Sequence, residues 1–270
     1  MRKCVKVKFE RGDKELPMIS LVSFACLLAE KSEKIILSGF RKNLKVESKD
    51  DGSPVTITDR DAEQSMRELI EAKYPDHGIL GEEFGETRSD AEYVWVLDPI
   101  DGTQSFICGV PLFGTLIALL KNGKPIIGVI HLPVLKEMFV GVEGQATTCN
   151  GQAVRVRESV SALKDAVLTS TDHLNLGKYQ NEAAFLRLAK SVRLYRGWGD
   201  CYMYTLLAKG KVDIVVDPIM NIWDIQALIP VVRGAGGVIS DYQGQAPENA
   251  KSIVATTPAL HTSVIQCLNS

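Results

Sequence analysis

No stretch of this chain is apolar over the ~20 residues that a membrane-spanning helix needs, so no transmembrane role is expected. Paired cysteines are missing as well. Cys4, Cys26, Cys108, Cys149, Cys201 and Cys267 are scattered with no Cys-x-x-Cys among them, and His77, His131, His173 and His261 are equally dispersed. That spacing excludes a zinc site and fits reduced thiols in a cytosol-like compartment. Neither sign of charge is in excess: 31 Lys and Arg face 33 Asp and Glu, a formal net charge of -2. A protein that holds nucleic acid by bulk positive charge is therefore not expected. Met1 to Leu16 includes Glu10, Asp13 and Glu15, which argues against a secretory signal or an organelle transit peptide. The expected location is the cytoplasm, with a plastid as the alternative if a leader has been removed. Internal repeats, low-complexity tracts and linkers rich in Pro, Gly or Ser are absent too. What remains is ordinary globular material, 45% hydrophobic and 24% charged over 270 residues, enough for a substantial core in one large domain or two small ones.

The stretch that stands out is Trp95-Val96-Leu97-Asp98-Pro99-Ile100-Asp101-Gly102-Thr103-Gln104-Ser105-Phe106. It begins as an apolar strand and ends in polar groups. Pro99 disfavours helical backbone at Asp98 and removes one amide donor. Gly102 permits a tight turn and close approach of a ligand. Two carboxylates thus leave a strand end into one small volume, where they need a shared proton or a cation. Hard oxygen ligands of this kind suit Mg²⁺. If a short helix starts at Gly102-Thr103, its first amides face any anion that the metal holds. Two solvated aspartates in a turn are the plain alternative.

Along the chain, Pro17–Gly39 reads as a core-packing helix, and Lys49–Pro54 as a turn or mobile loop. Val55–Thr58 is short and β-branched, after which Thr58 or Asp59 is expected to cap a helix through Lys73. Strand-like runs follow at Tyr93–Leu97, Leu112–Leu120, Ile126–Ile130 and Met138–Val142, with hairpin breaks at Lys121–Lys124 and Cys149–Gln152. This block reads as antiparallel sheet. After Ser159 the alternation changes: strands at Val167–Thr169, Val192–Tyr195, Val212–Val216, Val238–Ser240 and Ile253–Ala255 are interleaved with helices at Glu182–Lys190, Cys201–Lys209, Trp223–Arg233 and from about Pro258. Residues 1–270 are expected to form one unit with two subdomains sharing an interface, roughly 1–159 and 160–270.

Three further acidic elements accompany the first. Gly78–Gly81 delivers Glu82-Glu83 as a strand delivers Asp98, although a surface loop explains these acids equally well. Asp224 closes the metal site in one reading and is a helix N-cap in the other. Gly197-Trp198-Gly199-Asp200-Cys201-Tyr202 is either a capping turn or a pocket with one aromatic wall, Trp198, and one carboxylate, Asp200. Asp217-Pro218 ends the next strand and could add a second carboxylate. Two carboxylates outside the metal site favour a cationic substrate.

Taken in order, Glu82, Asp98-Pro99-Ile100-Asp101-Gly102-Thr103, Trp223-Asp224 and Gly234-Ala235-Gly236-Gly237 resemble the inositol monophosphatase superfamily. The resemblance runs from about Pro17 to the C-terminus. It implies an α/β (α+β) fold, a layered αβαβα sandwich, and a Mg²⁺-dependent phosphomonoesterase holding two or three ions. By position, Glu82, Asp98, the Ile100 carbonyl, Asp101 and Asp224 correspond to metal ligands, with Asp98 bridging two ions. The Gly102 and Thr103 amides correspond to a phosphate site. Glu82 and the Thr103 hydroxyl would orient and help deprotonate the attacking water, with Asp59 behind them. In-line attack by metal-activated water needs no covalent enzyme intermediate, and paired metals about 3.5–4 Å apart suit it. The Gly197–Tyr202 segment and Ser53–Asp59 resemble the branch that hydrolyses histidinol phosphate. There Asp200 and Asp217 would meet the amine and imidazole of the substrate. Gln104 departs from the Lys or Thr of that pattern. An inositol or broad sugar-phosphate phosphatase, a nucleotide-bisphosphate phosphatase and a catalytically silent metal-binding regulatory protein are the alternatives. The resemblance also implies a homodimer whose only other partner is a small phosphomonoester.

Overall fold

The computed structural model describes residues 18–42, 45–48 and 54–270. Pro17 and most of the expected Lys49–Pro54 turn lie outside these residues. The first half of the chain runs α1 (Met18–Gly39), β1 (Val46–Ser48), β2 (Pro54–Thr56), α2 (Ile57–Lys73), β3 (Gly78–Gly81), β4 (Gly85–Thr87), β5 (Tyr93–Asp101), α3 (Thr103–Ile107), β6 (Gly114–Lys121), β7 (Lys124–Leu132), β8 (Glu137–Val142), β9 (Thr148–Cys149) and β10 (Gln152–Ala153). Eight of these strands form one sheet in the order β10-β9-β8-β7-β6-β5-β3-β4. Its pairs are antiparallel except β3–β5, which is parallel. Asn122-Gly123 and Asn150-Gly151 make the two expected hairpin breaks, with the positive φ at Asn and Gly that such turns require.

The second half runs β11 (Val167–Thr169), α4 (Leu174–Tyr179), α5 (Glu182–Ser191), β12 (Leu194–Arg196), α6 (Asp200–Ala208), β13 (Ile214–Asp217), α7 (Ile222–Ile225), α8 (Leu228–Gly234), β14 (Val238–Ser240), β15 (Ile253–Thr256) and α9 (His261–Leu268). Its strands form a mixed sheet, β12-β11-β13-β15-β14.

Side-chain alternation along the strands explains the layers. On β5, Trp95 and Leu97 join a core with Leu21, Leu28, Met66 and Ile70 of α1 and α2, while Val94 and Val96 face the opposite way into a core with Tyr204, Leu228 and Val231. On β13, Val215 enters that same central core, whereas Ile214 and Val216 pack with Phe185, Leu188 and Val264 of α5 and α9. The result is α1/α2, large sheet, α6/α7/α8, small sheet, α5/α9: the αβαβα sandwich.

Two expectations need correction. The cap of α2 is Thr56, not Thr58 or Asp59: Thr56 Oγ1 accepts the Thr58 amide, and Asp59 reaches back to the Thr56 amide at 2.9 Å in a capping box. The expected helix at Trp223–Arg233 is two helices. Pro230 has no amide to continue the ladder, so the chain breaks at Gln226-Ala227 and restarts with Pro230 in the first turn of α8. That break lies tight on the large sheet. A Cβ on Gly128 would sit 2.1 Å from the Ala227 carbonyl oxygen, and one on Gly141 would sit 2.4 Å from the Pro230 carbonyl carbon.

Candidate active site

The end of β5 sets the site. Residues three apart on a regular strand point to opposite faces. Here the β5–β6 register shifts, with Asp98 opposite Leu116 and Asp101 opposite Gly114, so three steps on β5 span two on β6. This bulge brings both carboxylates to one side. The Thr115 hydroxyl pins it by donating to the Pro99 carbonyl at 2.9 Å, and Ile100 anchors it among Ile36, Ala62, Phe106 and Phe113. Asp224 arrives from the other half of the chain. It is the third residue of α7 rather than its N-cap, and it accepts the Asn221 amide at 2.7 Å, with Asn221 as the cap. Carboxylate oxygens of Asp98, Asp101 and Asp224 lie within 4.8 Å of one another.

Burial and crowding raise the affinity of these acids for protons. Asp98 is held well above the usual carboxylate range, first by burial and then by the charges of Glu82, Asp101 and Asp224. Burial, Asp200 and Asp224 do the same to Asp101, although the Cys201 amide donates to its Oδ2 and opposes them. Asp224 is pushed up to about 7, chiefly by burial. Glu82 follows β3, its amide bonded to the Leu97 carbonyl at 3.1 Å, and its charge bears on both Asp98 and Asp224.

Thr103 opens α3 beside this cluster. Its hydroxyl donates to the Ile100 carbonyl at 3.0 Å and lies 3.5 Å from Asp59 Oδ1. Gly102, the residue before α3, has φ +88, and a Cβ there would sit 2.8 Å from Asp200 Oδ2. Glycine therefore meets both a backbone and a space requirement.

A cleft of about 90 Å³ adjoins the cluster, lined among others by Asp101, Thr171, Asp172, Asp200, Asp217 and Asp224. Asp200 and Asp217 thus share one cleft with two members of the acidic cluster. Burial pushes Asp200 up to about 6, opposed by a hydrogen bond with Ser105, and Asp217 up to about 7, opposed by Thr171 and Tyr204. The Tyr204 hydroxyl is 3.0 Å from Asp217 Oδ2. Trp198 is not brought into this cleft. Its side chain packs against the central core, and its backbone is fixed on both sides by the Thr169 hydroxyl at 3.1 Å. Sequence reasoning missed Tyr204, Thr171 and Ser105. Tyr204 carried a signal, lying on the predicted helix four residues after Asp200, which falls near that helix's start.

Residues 18–270 match the inositol monophosphatase family. The chain belongs to that family. It is 43% identical over 252 residues to the bifunctional phosphatase IMPL2, chloroplastic, of Arabidopsis thaliana, covering 92% of this chain and 72% of the relative. It is 40% identical to a histidinol-phosphatase of Chlorobaculum parvum, covering 92% of this chain and 96% of that protein. Among solved structures, an inositol monophosphatase from Zymomonas mobilis superposes with a TM-score of 0.84 at 38% identity, covering 95% of this chain and 100% of the other. An IMPase/NADP phosphatase of the same fold, at 21% identity and a TM-score of 0.82 over 93% of this chain and 95% of that one, was solved complexed with Mg²⁺ and phosphate.

As an inositol monophosphatase family phosphatase, the chain can be tested for its fit to a divalent cation. Asp98 Oδ1 is buried and has no hydrogen-bond partner among the described residues. An orphaned anionic oxygen beside two further carboxylates is costly unless a cation meets it. The donors are all hard oxygens, and the Ile100 carbonyl keeps a second lone pair beyond the bond from Thr103. The residues fit Mg²⁺. No helix among the described residues is long and apolar enough to cross a membrane, and Cys108, Cys149, Cys201 and Cys267 are free thiols.

Proposed function

We propose that this chain is a Mg²⁺-dependent phosphomonoesterase that hydrolyses L-histidinol phosphate to L-histidinol and phosphate. The observation that carries the substrate is the position of Asp200 and Asp217, one half-buried and one buried carboxylate in one cleft with Asp101 and Asp224. A polyol substrate offers no charge to offset them. A substrate with an ammonium and an imidazole does, and its approach would draw both acids into their ionised forms. Similarity to histidinol-phosphatases supports the same reading.

Glu82, Asp98, Asp101, Asp224 and the Ile100 carbonyl would hold the ions. When bound, divalent cations offset the charge of the phosphoryl group, make water acidic enough to ionise near neutral pH and stabilise the leaving oxygen. The protein's own groups do the rest. The Gly102 and Thr103 amides would receive phosphate oxygens. The Thr103 hydroxyl can donate to only one acceptor at a time. With its proton turned from the Ile100 carbonyl to Asp59, the hydroxyl would pass that proton to the Asp59 carboxylate as it accepts one from the attacking water. Asp59 suits this role because burial raises its proton affinity, while Thr56 holds its other oxygen through an amide at 2.9 Å and a hydroxyl at 2.5 Å.

The test is a steady-state comparison of histidinol phosphate and inositol 1-phosphate in Mg²⁺. The expected outcome is at least a tenfold higher kcat/KM for histidinol phosphate, about 1.4 kcal/mol of preference. Equal turnover of the two would reject the substrate and leave a broad-range phosphatase.

A further inference from the structure

Among the charged groups outside the acidic cluster, Glu63 and Arg67 of α2 are unusual. Both side chains are buried, at 0% and 7% exposure, and they pair at 2.7 Å. A buried ion pair is weak evidence for stability, because apolar residues of similar volume often do as well. Its bonds lead instead to one place, the turn after β3. Glu63 Oε2 accepts the Glu83 amide at 2.8 Å, and Oε1 accepts the Phe84 amide at 3.2 Å. Arg67 donates to the Gly85 carbonyl and, at 3.4 Å, to the Thr87 hydroxyl. The Glu63 carboxylate also lies so close to the Gly81 backbone that a Cβ there would meet Oε1 at 2.0 Å.

Glu82 sits between these anchors. Its own amide is tied to β5 at Leu97, and the next two amides are tied to Glu63. The Glu82 side chain in turn meets Asp98 by a hydrogen bond and by charge. Asp59, Glu63 and Arg67 are spaced i, i+4, i+8, so one face of α2 addresses both Thr103 and the Glu82 turn.

We infer that Glu63 and Arg67 are positioning residues: they clamp the β3–β4 turn so that the Glu82 carboxylate stays directed at Asp98 and the cation site. The inference rests on the reading of Glu82 as a ligand. The experiment therefore includes Glu82→Gln as a reference beside Glu63→Gln and the double variant Glu63→Leu/Arg67→Met. Mg²⁺ is titrated calorimetrically into each EDTA-treated full-length protein, kcat and KM are measured in saturating Mg²⁺, and urea melts report folding. Glu63→Gln and a folded double variant are expected to bind Mg²⁺ about tenfold more weakly and to lose about tenfold in kcat, with KM within about twofold of the parent. A purely structural pair would move the urea midpoint and leave the Mg²⁺ titration unchanged. That result in Glu63→Gln, with Glu82→Gln impaired, overturns this inference alone, and it decides the matter even if the double variant does not fold. Parental Mg²⁺ binding in Glu82→Gln would instead overturn the ligand reading beneath it.

Discussion

At the scale of single residues, catalysis and stability pull against each other. Asp98, Asp101 and Asp224 raise one another's proton affinity, which means that each is held in a place unfavourable for its charge without a cation. Asp101→Asn removes one charge and keeps the shape. The metal-free variant is expected to melt a few degrees higher than the parent, while kcat falls at least about a hundredfold in Mg²⁺. Thermal melts in EDTA and a phosphate-release assay check both halves, and near-parental turnover would count heavily against the ligand role. Asp217→Asn belongs to the other side of the cleft. It should raise KM for histidinol phosphate about tenfold and leave inositol 1-phosphate unaffected, a split that a kinetic panel reads directly. The sequence made part of this visible. Asp98-Pro99-Ile100-Asp101-Gly102 could be read because its chemistry is local. The bulge that turns Asp98 and Asp101 to one side depends on pairing with Leu116 and Gly114, which no local pattern encodes. The same holds for Asp224, which stood equally well as a cap, and for Thr171, whose place beside Asp217 comes from a different strand end.

At the scale of elements, what a segment does follows from what it is pressed against. Most strands and helices were legible from alternation, helical spacing and Asn-Gly turns, since those signals report which face is buried. Boundaries were less legible: β12, β13 and α9 start two or three residues later than expected, and two further places were misread. Thr56 caps α2 two or three residues earlier than the expected Thr58 or Asp59, because the β-branched run leading into the helix already supplies a hydroxyl acceptor. The break between α7 and α8 had a signal in Pro230, overridden by the apolar spacing around it. That break has a functional consequence. Ala227 lies three residues after Asp224, and its carbonyl presses on Gly128 with no room for a methyl group. Gly128→Ala is therefore expected to push the α7–α8 turn off the sheet, costing about 1–3 kcal/mol in a urea melt. Because Asp224 rides on that turn, Mg²⁺ affinity should fall in the same variant. A stability loss without a change in Mg²⁺ binding would show that α7 keeps its place independently of the turn.

At the scale of the whole molecule, the two sheets meet around one central helical layer, and the acids gather where it reaches the end of β5. The pH dependence of folding should carry that signature. Asp200, Asp217 and Asp224 stand at about 6, 7 and 7 in the folded protein against an ordinary value of 3.8, and Asp98 and Asp101 are displaced in the same direction. A carboxylate whose folded value is raised binds more protons folded than unfolded. Its contribution is complete below about pH 4 and is lost as the pH climbs through about 7, by about 1.4 kcal/mol per pH unit for each proton. His77 and His261 work in the opposite sense: burial lowers both, so their contribution is present at neutral pH and lost as acid charges the unfolded imidazole. His77 stacks on Tyr74 and Tyr93 and accepts from the Trp95 indole, with Asp76 and Glu92 partly offsetting its burial. With Asp59 raised as well, six carboxylates outweigh two imidazoles. The metal-free protein is thus expected to melt higher at pH 5.5 than at pH 7.5. Mg²⁺ competes with protons for the same oxygens, so millimolar Mg²⁺ should flatten or reverse that slope. Calorimetric scans at four pH values in EDTA and in Mg²⁺ would measure both slopes. A melting temperature in EDTA that climbs steadily from pH 5.5 to 7.5 would mean that the acids do not share the crowded space from which Mg²⁺ binding has been argued.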